Sequence, residues 1–207
     1  MERALAEKIK RRREIPPDEG EVILSSRNGH PDRFRVLVNR YRRQVLSICY
    51  RMVGRWHEAE ELAQQTFVDA FCKLETFDVG RPFQPWLCRI AVNNCKDYFK
   101  SKKRSEIPTD FDFSSQSGFQ ATGWDDPERR QLSRERVELL HKALLTLPIK
   151  YREVLILKDI EELAYKEIHA MLGLPITTLK IRVIRARRKL ARALDKLVED
   201  NEDRSLR

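Results

Sequence analysis

Apolar side chains recur along most of this chain at steps of three and four residues, and apolar–polar alternation is rare, so the pattern predicts helices rather than strands. The first clear period follows Asn28-Gly-His-Pro-Asp32 and runs from Phe34 through Leu37, Val38, Tyr41, Val45, Ile48, Cys49 and Met52 to Gly54. A second, from about Glu58 to Leu74, puts Ala59, Leu62, Ala63, Thr66, Phe67, Ala70 and Phe71 on one stripe. A third starts after Pro82 and Pro85 and carries Leu87, Ile90, Ala91, Asn94 and Tyr98, with Arg89, Lys96, Lys100 and Lys103 on the opposite face.

The pattern stops at Ser105 and resumes near Pro127-Glu128, continuing to Leu147. Pro148 breaks it before a short segment with Tyr151, Val154, Leu155 and Leu157. A periodic segment from Glu162 to Leu172 then meets Gly173-Leu174-Pro175, and Thr177 or Thr178 can N-cap a last helix. Helix, tight turn, helix is the order of a helix-turn-helix, whose second helix enters the DNA major groove. The expected fold is all-α: two small helical domains, a bundle and a helix-turn-helix, joined by a flexible acidic linker. Its organisation reads as a basic N-terminal extension over 1–19, a first domain over 20–104, the linker over 105–127, a second domain over 128–197 and a polar tail over 198–207.

Charge sharpens this outline. Between Ile168 and Leu194 there is no acidic residue, yet Lys180, Arg182, Arg185, Arg187, Arg188, Lys189 and Arg192 crowd the last helix. Solvated helix faces normally mix signs, and this one does not. A net charge of +9 and a pI near 9.5 point the same way, to nucleic acid or an anionic surface. The linker is the reverse, with six acids and no Lys or Arg between Ser105 and Glu128, although Phe111, Phe113, Phe119 and Trp124 suit it to dock somewhere. Helix 58–74 also shows a concentrated acidic and amide face, from Glu58, Glu60, Glu61, Gln64, Gln65 and Asp69. That face reads either as a wet helix surface or as a docking site for a basic protein.

The loop from Thr76 to Trp86 sets Phe77, Phe83 and Trp86 beside Arg81 and feeds the cationic third helix. Bases stack on rings while Arg and Lys hold a backbone, so single-stranded DNA suits it. The alternative, preferred for Phe83 and Trp86, is that the rings anchor the core and polar loop residues do the reading.

Enzyme signatures are missing: there is no Walker loop, dinucleotide fingerprint, His-Glu-x-x-His or Gly-x-Ser-x-Gly. The cysteines Cys49, Cys72, Cys88 and Cys95 form no Cys-x-x-Cys pair and sit on apolar helical positions, so reduced core thiols are expected and a metal site is not. No apolar run approaches the roughly 18–20 residues of a membrane span, and Met1-Glu-Arg-Ala-Leu lacks a signal-peptide core, so a cytoplasmic protein is expected.

Together these residues resemble the extracytoplasmic-function (ECF) group of RNA polymerase sigma factors, in the sigma-70 superfamily, from near Glu21 to about Leu197. Glu58-Ala-Glu-Glu-Leu-Ala-Gln-Gln-Thr-Phe67 is similar to that family's region 2.2, and Pro82-Phe-Gln-Pro-Trp-Leu-Cys-Arg-Ile-Ala-Val-Asn-Asn94 to its regions 2.3 and 2.4. Leu147-Pro-Ile-Lys-Tyr-Arg-Glu-Val154, Tyr165-Lys-Glu-Ile168 and Leu172-Gly-Leu-Pro175 are similar to its region 4. The resemblance implies a promoter-specificity subunit, not an enzyme, working without a cofactor, metal or small-molecule substrate. Its partners would be core RNA polymerase (β′ clamp helices and β flap), promoter DNA and an anti-sigma factor.

Carried over by position, Glu60, Glu61, Gln64 and Gln65 would bind core polymerase. Asp78, Arg81, Gln84, Arg89, Asn93, Lys96 and Lys100 would bind the −10 element. Thr177, Thr178, Lys180, Ile181, Arg182, Ile184, Arg185 and Arg188 would bind the −35 element. Thr177 and Ile181 stand where the family usually has Gly and Ser, so a −35 sequence unlike the family's common one is expected. A stand-alone helix-turn-helix transcriptional regulator is the second reading; it leaves 58–104 without a role.

Overall fold

The computed structural model of the protein describes residues 17–102 and 127–205. Nearly all of the acidic linker, with its four aromatics, and most of the N-terminal extension lie outside these residues. Among the described residues all regular structure is helical.

The N-terminal unit has four helices: α1 (Pro17–Arg27), α2 (Phe34–Val53), α3 (Trp56–Cys72) and α4 (Phe83–Lys102). Helix α2 follows its apolar period, burying Phe34, Leu37, Val45, Ile48, Cys49 and Met52. It stops at Gly54, whose φ of +82° lets its N–H reach Tyr50 O at 2.8 Å. A side chain would be strained in that left-handed conformation, and its Cβ would lie 2.6 Å from Leu145 Cδ1. Helix α3 buries Ala59, Ala63, Thr66 and Ala70, small residues one turn apart that let α2 and α4 approach closely. Asn94 Nδ2 ties α4 to α3, donating to Asp69 Oδ2 at 3.0 Å. Pro85 is accommodated because the first-turn N–H groups of a helix have no internal partner.

Helix α1 spans the expected edge of the N-terminal extension and was not visible as a period. Long-range polar bonds hold it. Buried Glu19 takes the Arg40 guanidinium at 2.8 Å and the Tyr41 hydroxyl, while Arg27 donates to the carbonyls of Leu74 and Phe77. Burial, reinforced by Glu19, pushes the Tyr41 phenol well above its usual range.

The C-terminal unit comprises α5 (Pro127–Thr146), α6 (Ile149–Leu155), α7 (Tyr165–Leu172) and α8 (Ile176–Ser205). A π-helical turn, Ile156–Ile160, continues α6, and Glu162 follows at φ +55°, a strained conformation for a side chain. Gly173, at φ +68°, closes α7 and makes the tight turn. Helix α8 starts earlier than expected: Leu179 N bonds Pro175 O at 2.9 Å, so Thr177 and Thr178 stand inside the first turn and do not cap it. It also runs on to Ser205 through the stretch expected as a polar tail.

The two units share one continuous cluster of buried apolar residues. Cys49, Cys88 and Cys95 are buried in it, but Cys72 is exposed, contrary to expectation, because it lies two residues from Ala70 and two from Leu74, on the face of α3 opposite the packed stripe. Hydrogen bonding with Cys49, then burial, holds the Cys95 thiol far above its ordinary pKa, and burial does the same for Cys88. Both thiols are therefore protonated and poorly nucleophilic.

Candidate nucleic-acid interface

Three surfaces carry the chemistry, and α3 presents the acidic one. Glu60, Glu61, Gln64 and Gln65 are all exposed there. His57 Nδ1 lies 3.3 Å from Glu61 Oε1, and Gln65 donates to Asp69 at 2.7 Å, so the side chains are ordered along the helix by one-turn contacts. Sequence reasoning missed the apolar end of this face. Val68 and Phe71 continue the line of Glu61 and Gln64 yet are 56% and 41% exposed. Phe71, on the apolar stripe by its spacing, touches Phe34 edge-on at 5.2 Å yet stays partly in solvent. Polar residues running into exposed apolar ones fit a protein-docking surface better than a merely wetted helix.

The second surface is a cleft of about 520 Å³ beside α4. Of the residues expected to meet −10 DNA, Arg89, Asn93, Lys96 and Lys100 line it together. Asp78, Arg81 and Gln84 are not among its walls. The first two pair with each other at 3.0 Å on the loop before α4, where Asp78 also accepts the Gly80 N–H. Phe77 and Phe83 are buried, packed edge-on at 5.4 Å, and serve as anchors. Trp86 stacks against both but keeps one side on the cleft. Lys73, at the end of α3, adds a cation that sequence reasoning overlooked. It stands just before Leu74 and off the apolar stripe, so periodicity alone gives it no role. Asp97 also lines the cleft and pairs with Lys100 at 2.7 Å; a partly exposed indole beside the remaining cations suits a base and its phosphates.

The third surface is the outer side of α8. Leu179, Val183 and Ala186 bury one stripe against α6 and α7. On the opposite side Thr177, Thr178, Lys180, Ile181, Ile184, Arg185 and Arg188 are exposed. Arg182 is half-buried instead, its Nη1 at 3.4 Å from Glu153 Oε1. Arg187 is engaged by a two-pronged ion pair with Asp159 (2.6 and 2.9 Å), which raises its pKa.

Between the units, polar groups are aimed inward. Arg152, on α6, is 8% exposed and donates to the carbonyls of Met52, Leu145 and Leu147, the first of these on α2. Burial lowers its pKa to about 10, so it stays charged at neutral pH. Its neighbour Glu153 meets Arg182 on one oxygen and Lys96 of α4 on the other, the latter at 3.1 Å but without good hydrogen-bond geometry. His141, on α5, contacts Tyr50 O at 3.2 Å and stacks on the Tyr50 ring at 4.3 Å. Glu161 accepts from Gln44, and burial raises its pKa. Arg89 donates to Ala170 O of α7 at 3.4 Å.

An all-helical protein with a cationic helix-turn-helix, a basic aromatic cleft and an acidic docking face is of the class that brings another protein to DNA. Residues 37–105 match the family described as Sigma-70 region 2, and residues 137–190 the family described as Sigma-70, region 4. The ECF RNA polymerase sigma factor SigW of Bacillus subtilis is 36% identical over 177 residues, covering 83% of this chain and 94% of that protein. The ECF RNA polymerase sigma-E factor of Escherichia coli (strain K12) is 29% identical over 181 residues, covering 86% and 94%. Among solved structures, CnrH in complex with the cytosolic domain of CnrY aligns with a TM-score of 0.62 at 25% identity, covering 86% of this chain and 97% of that one.

The chain belongs to the ECF RNA polymerase sigma factors. It is a transcription initiation factor that binds core RNA polymerase, directs it to specific promoters and assists their melting. Among the described residues no helix is long and apolar enough to cross a membrane, and no group of three or more potential metal ligands occurs.

Proposed function

We infer that the three surfaces divide the work of initiation. Glu60, Glu61, Gln64 and Gln65, with Val68 and Phe71 beside them, dock on the β′ clamp helices of core polymerase, while the C-terminal unit meets the β flap. Asp78, Arg81 and Gln84 on the loop, and Arg89, Asn93, Lys96 and Lys100 in the cleft, hold the −10 element as it opens. Thr177, Thr178, Lys180, Ile181, Arg182, Ile184, Arg185 and Arg188 anchor −35 duplex DNA. The chain itself catalyses nothing: contacts to unstacked bases, each of about 1–3 kcal/mol, offset the few kcal/mol of unstacking, and the polymerase carries out the chemistry. The cytoplasm is its place of work, and an anti-sigma factor, as is usual for this family, is the partner that withholds it from polymerase.

The observation that carries this reading is the convergence of Arg89, Asn93, Lys96 and Lys100 with Trp86 on one cleft, at a distance in sequence from the helix-turn-helix. A reader of duplex DNA alone has no use for it. The docking face is tested by Glu61→Lys combined with Gln64→Ala. Both side chains are exposed, so the fold, followed by circular dichroism, should be unchanged while affinity for core polymerase drops roughly tenfold or more, the effect of reversing charge at a complementary interface. Unchanged affinity would remove α3 from the interface.

A further inference from the structure

Helix α8 has a pole directly opposite its buried stripe. Stepping 100° per residue from Leu179, Val183 and Ala186, that pole is occupied by Thr177, Ile181, Ile184 and Arg188. Ile181 and Ile184 are each 50% exposed. Lys180, Arg185 and Arg188 surround them. Neither packing nor helix propensity accounts for the pair: both face away from the core, and β-branched residues are poorer helix formers than the Lys and Arg beside them. A lone exposed isoleucine needs no explanation. Two at the centre of a cationic pole, one turn apart, mark an apolar contact made where a polyanion is bound.

The large apolar group that B-form DNA displays in its major groove is the C5-methyl of thymine. We propose that Ile181 and Ile184 read thymine methyl groups, so that the −35 element of this sigma factor carries thymines at two neighbouring base pairs. The proposal rests on the assignment of α8 to the −35 element and specifies what it reads. A three-residue step sets the isoleucines about 4.5 Å apart along the helix axis, close to the roughly 3.4 Å rise per base pair along the duplex axis. Exposed Lys180, Arg185 and Arg188 flank the pair and hold phosphates, which fixes register without carrying sequence information. Duplex DNA is favoured over a protein partner because the surrounding charges are all of one sign and no acidic residue lies between Ile168 and Leu194.

The test uses holoenzyme formed with core polymerase. A −35 element selected from a randomised promoter library is re-synthesised with deoxyuridine in place of each thymine in turn, which removes one methyl and leaves pairing intact. Promoter binding should fall about fourfold at each of two adjacent positions, the weight of one buried methyl group. Ile181→Ala and Ile184→Ala should each abolish the thymine preference at one position, whereas Arg188→Ala should weaken binding to thymine and uracil templates alike. A protected −35 element insensitive to uracil throughout overturns the proposal and leaves the −35 assignment intact. Absence of any −35 protection by wild-type holoenzyme overturns the assignment itself. Loss of core polymerase affinity in Ile181→Ala and Ile184→Ala, with the uracil ratios unchanged, would show that the pair faces protein and would equally overturn it.

Discussion

On α8 the pole proposed to read DNA, Thr177, Ile181, Ile184 and Arg188, stands in solvent, whereas on α4 Arg89 and Lys96 are drawn onto the other unit and Lys100 pairs with Asp97 of its own helix. Lys96 lies at 3.1 Å from the buried Glu153 carboxylate, and Arg89 reaches the Ala170 carbonyl. Both helices have a cationic face set against a packed one, so their sequence patterns look alike. The difference is one of availability: under the proposed assignment α8 meets duplex DNA as it stands, while Lys96 exchanges a carboxylate for a phosphate. The carboxylate that holds Lys96, Glu153, lies on α6, which touches neither element of DNA in the proposed scheme.

The largest effect is expected from Arg152→Met. It leaves the carbonyls of Met52, Leu145 and Leu147 without their donor and removes the guanidinium from above the Phe99 ring. Each buried carbonyl left without a donor costs about 1–3 kcal/mol, so a loss on the order of 3–5 kcal/mol is expected. Urea unfolding should show that loss. Amide exchange should quicken at the end of α2 as well as in α6, since the Met52 carbonyl belongs to α2. Quickening confined to α6 would mean that Arg152 braces only its own unit.

Next comes the pH response of His141. Burial, partly opposed by its bond to Tyr50 O, lowers its pKa from 6.5 to about 4. With the folded value depressed, the unfolded chain takes up the proton first. Stability is full above pH 6.5 and falls as the pH drops toward 4. The whole loss is about 3 kcal/mol, at roughly 1.4 kcal/mol per pH unit of separation. His141→Gln should flatten urea midpoints between pH 7 and 5 relative to wild type. Parallel acid loss in both proteins would place the titration elsewhere.

These contacts explain why some of the molecule was legible in the sequence and some was not. Helices α2, α3 and α4 announced themselves because their cores are apolar stripes set by local spacing. The helix-turn-helix did so through Gly173 and the run of cations. Helix α1 escaped because Glu19 and Arg27, which fasten it, bond to Arg40, Tyr41, Leu74 and Phe77, far along the chain. The last turns of α8 escaped because they have no apolar stripe to detect. At the cleft, Arg89, Lys96 and Lys100 were visible as a helical row, while Lys73 joins them only through the packing of α3 on α4. Periodicity shows that a face is buried and cannot name its partner, so the place of Glu153 between Lys96 of α4 and Arg182 of α8 was out of reach.

The smallest effect is the most pointed for the comparison. Glu153→Gln keeps the shape of the side chain and removes the charge shared by Lys96 and Arg182, whose own side chains are 32% and 22% exposed. Glu153 is itself buried, so losing its charge leaves two cations without their carboxylate, but both cations keep contact with water and the loss of stability should stay below that of Arg152→Met. Lys96 would be released from its carboxylate, and holoenzyme should bind a −10-only template more tightly, by up to about fivefold. A −35-only duplex should gain much less, because Arg182 is the sole member of the −35 set that Glu153 touches and the pole of α8 is already free. The gain should shrink with added salt, as an extra phosphate contact requires. An equal gain on both templates would erase the asymmetry between α4 and α8, and no gain on either would show that Lys96 reaches DNA without leaving Glu153.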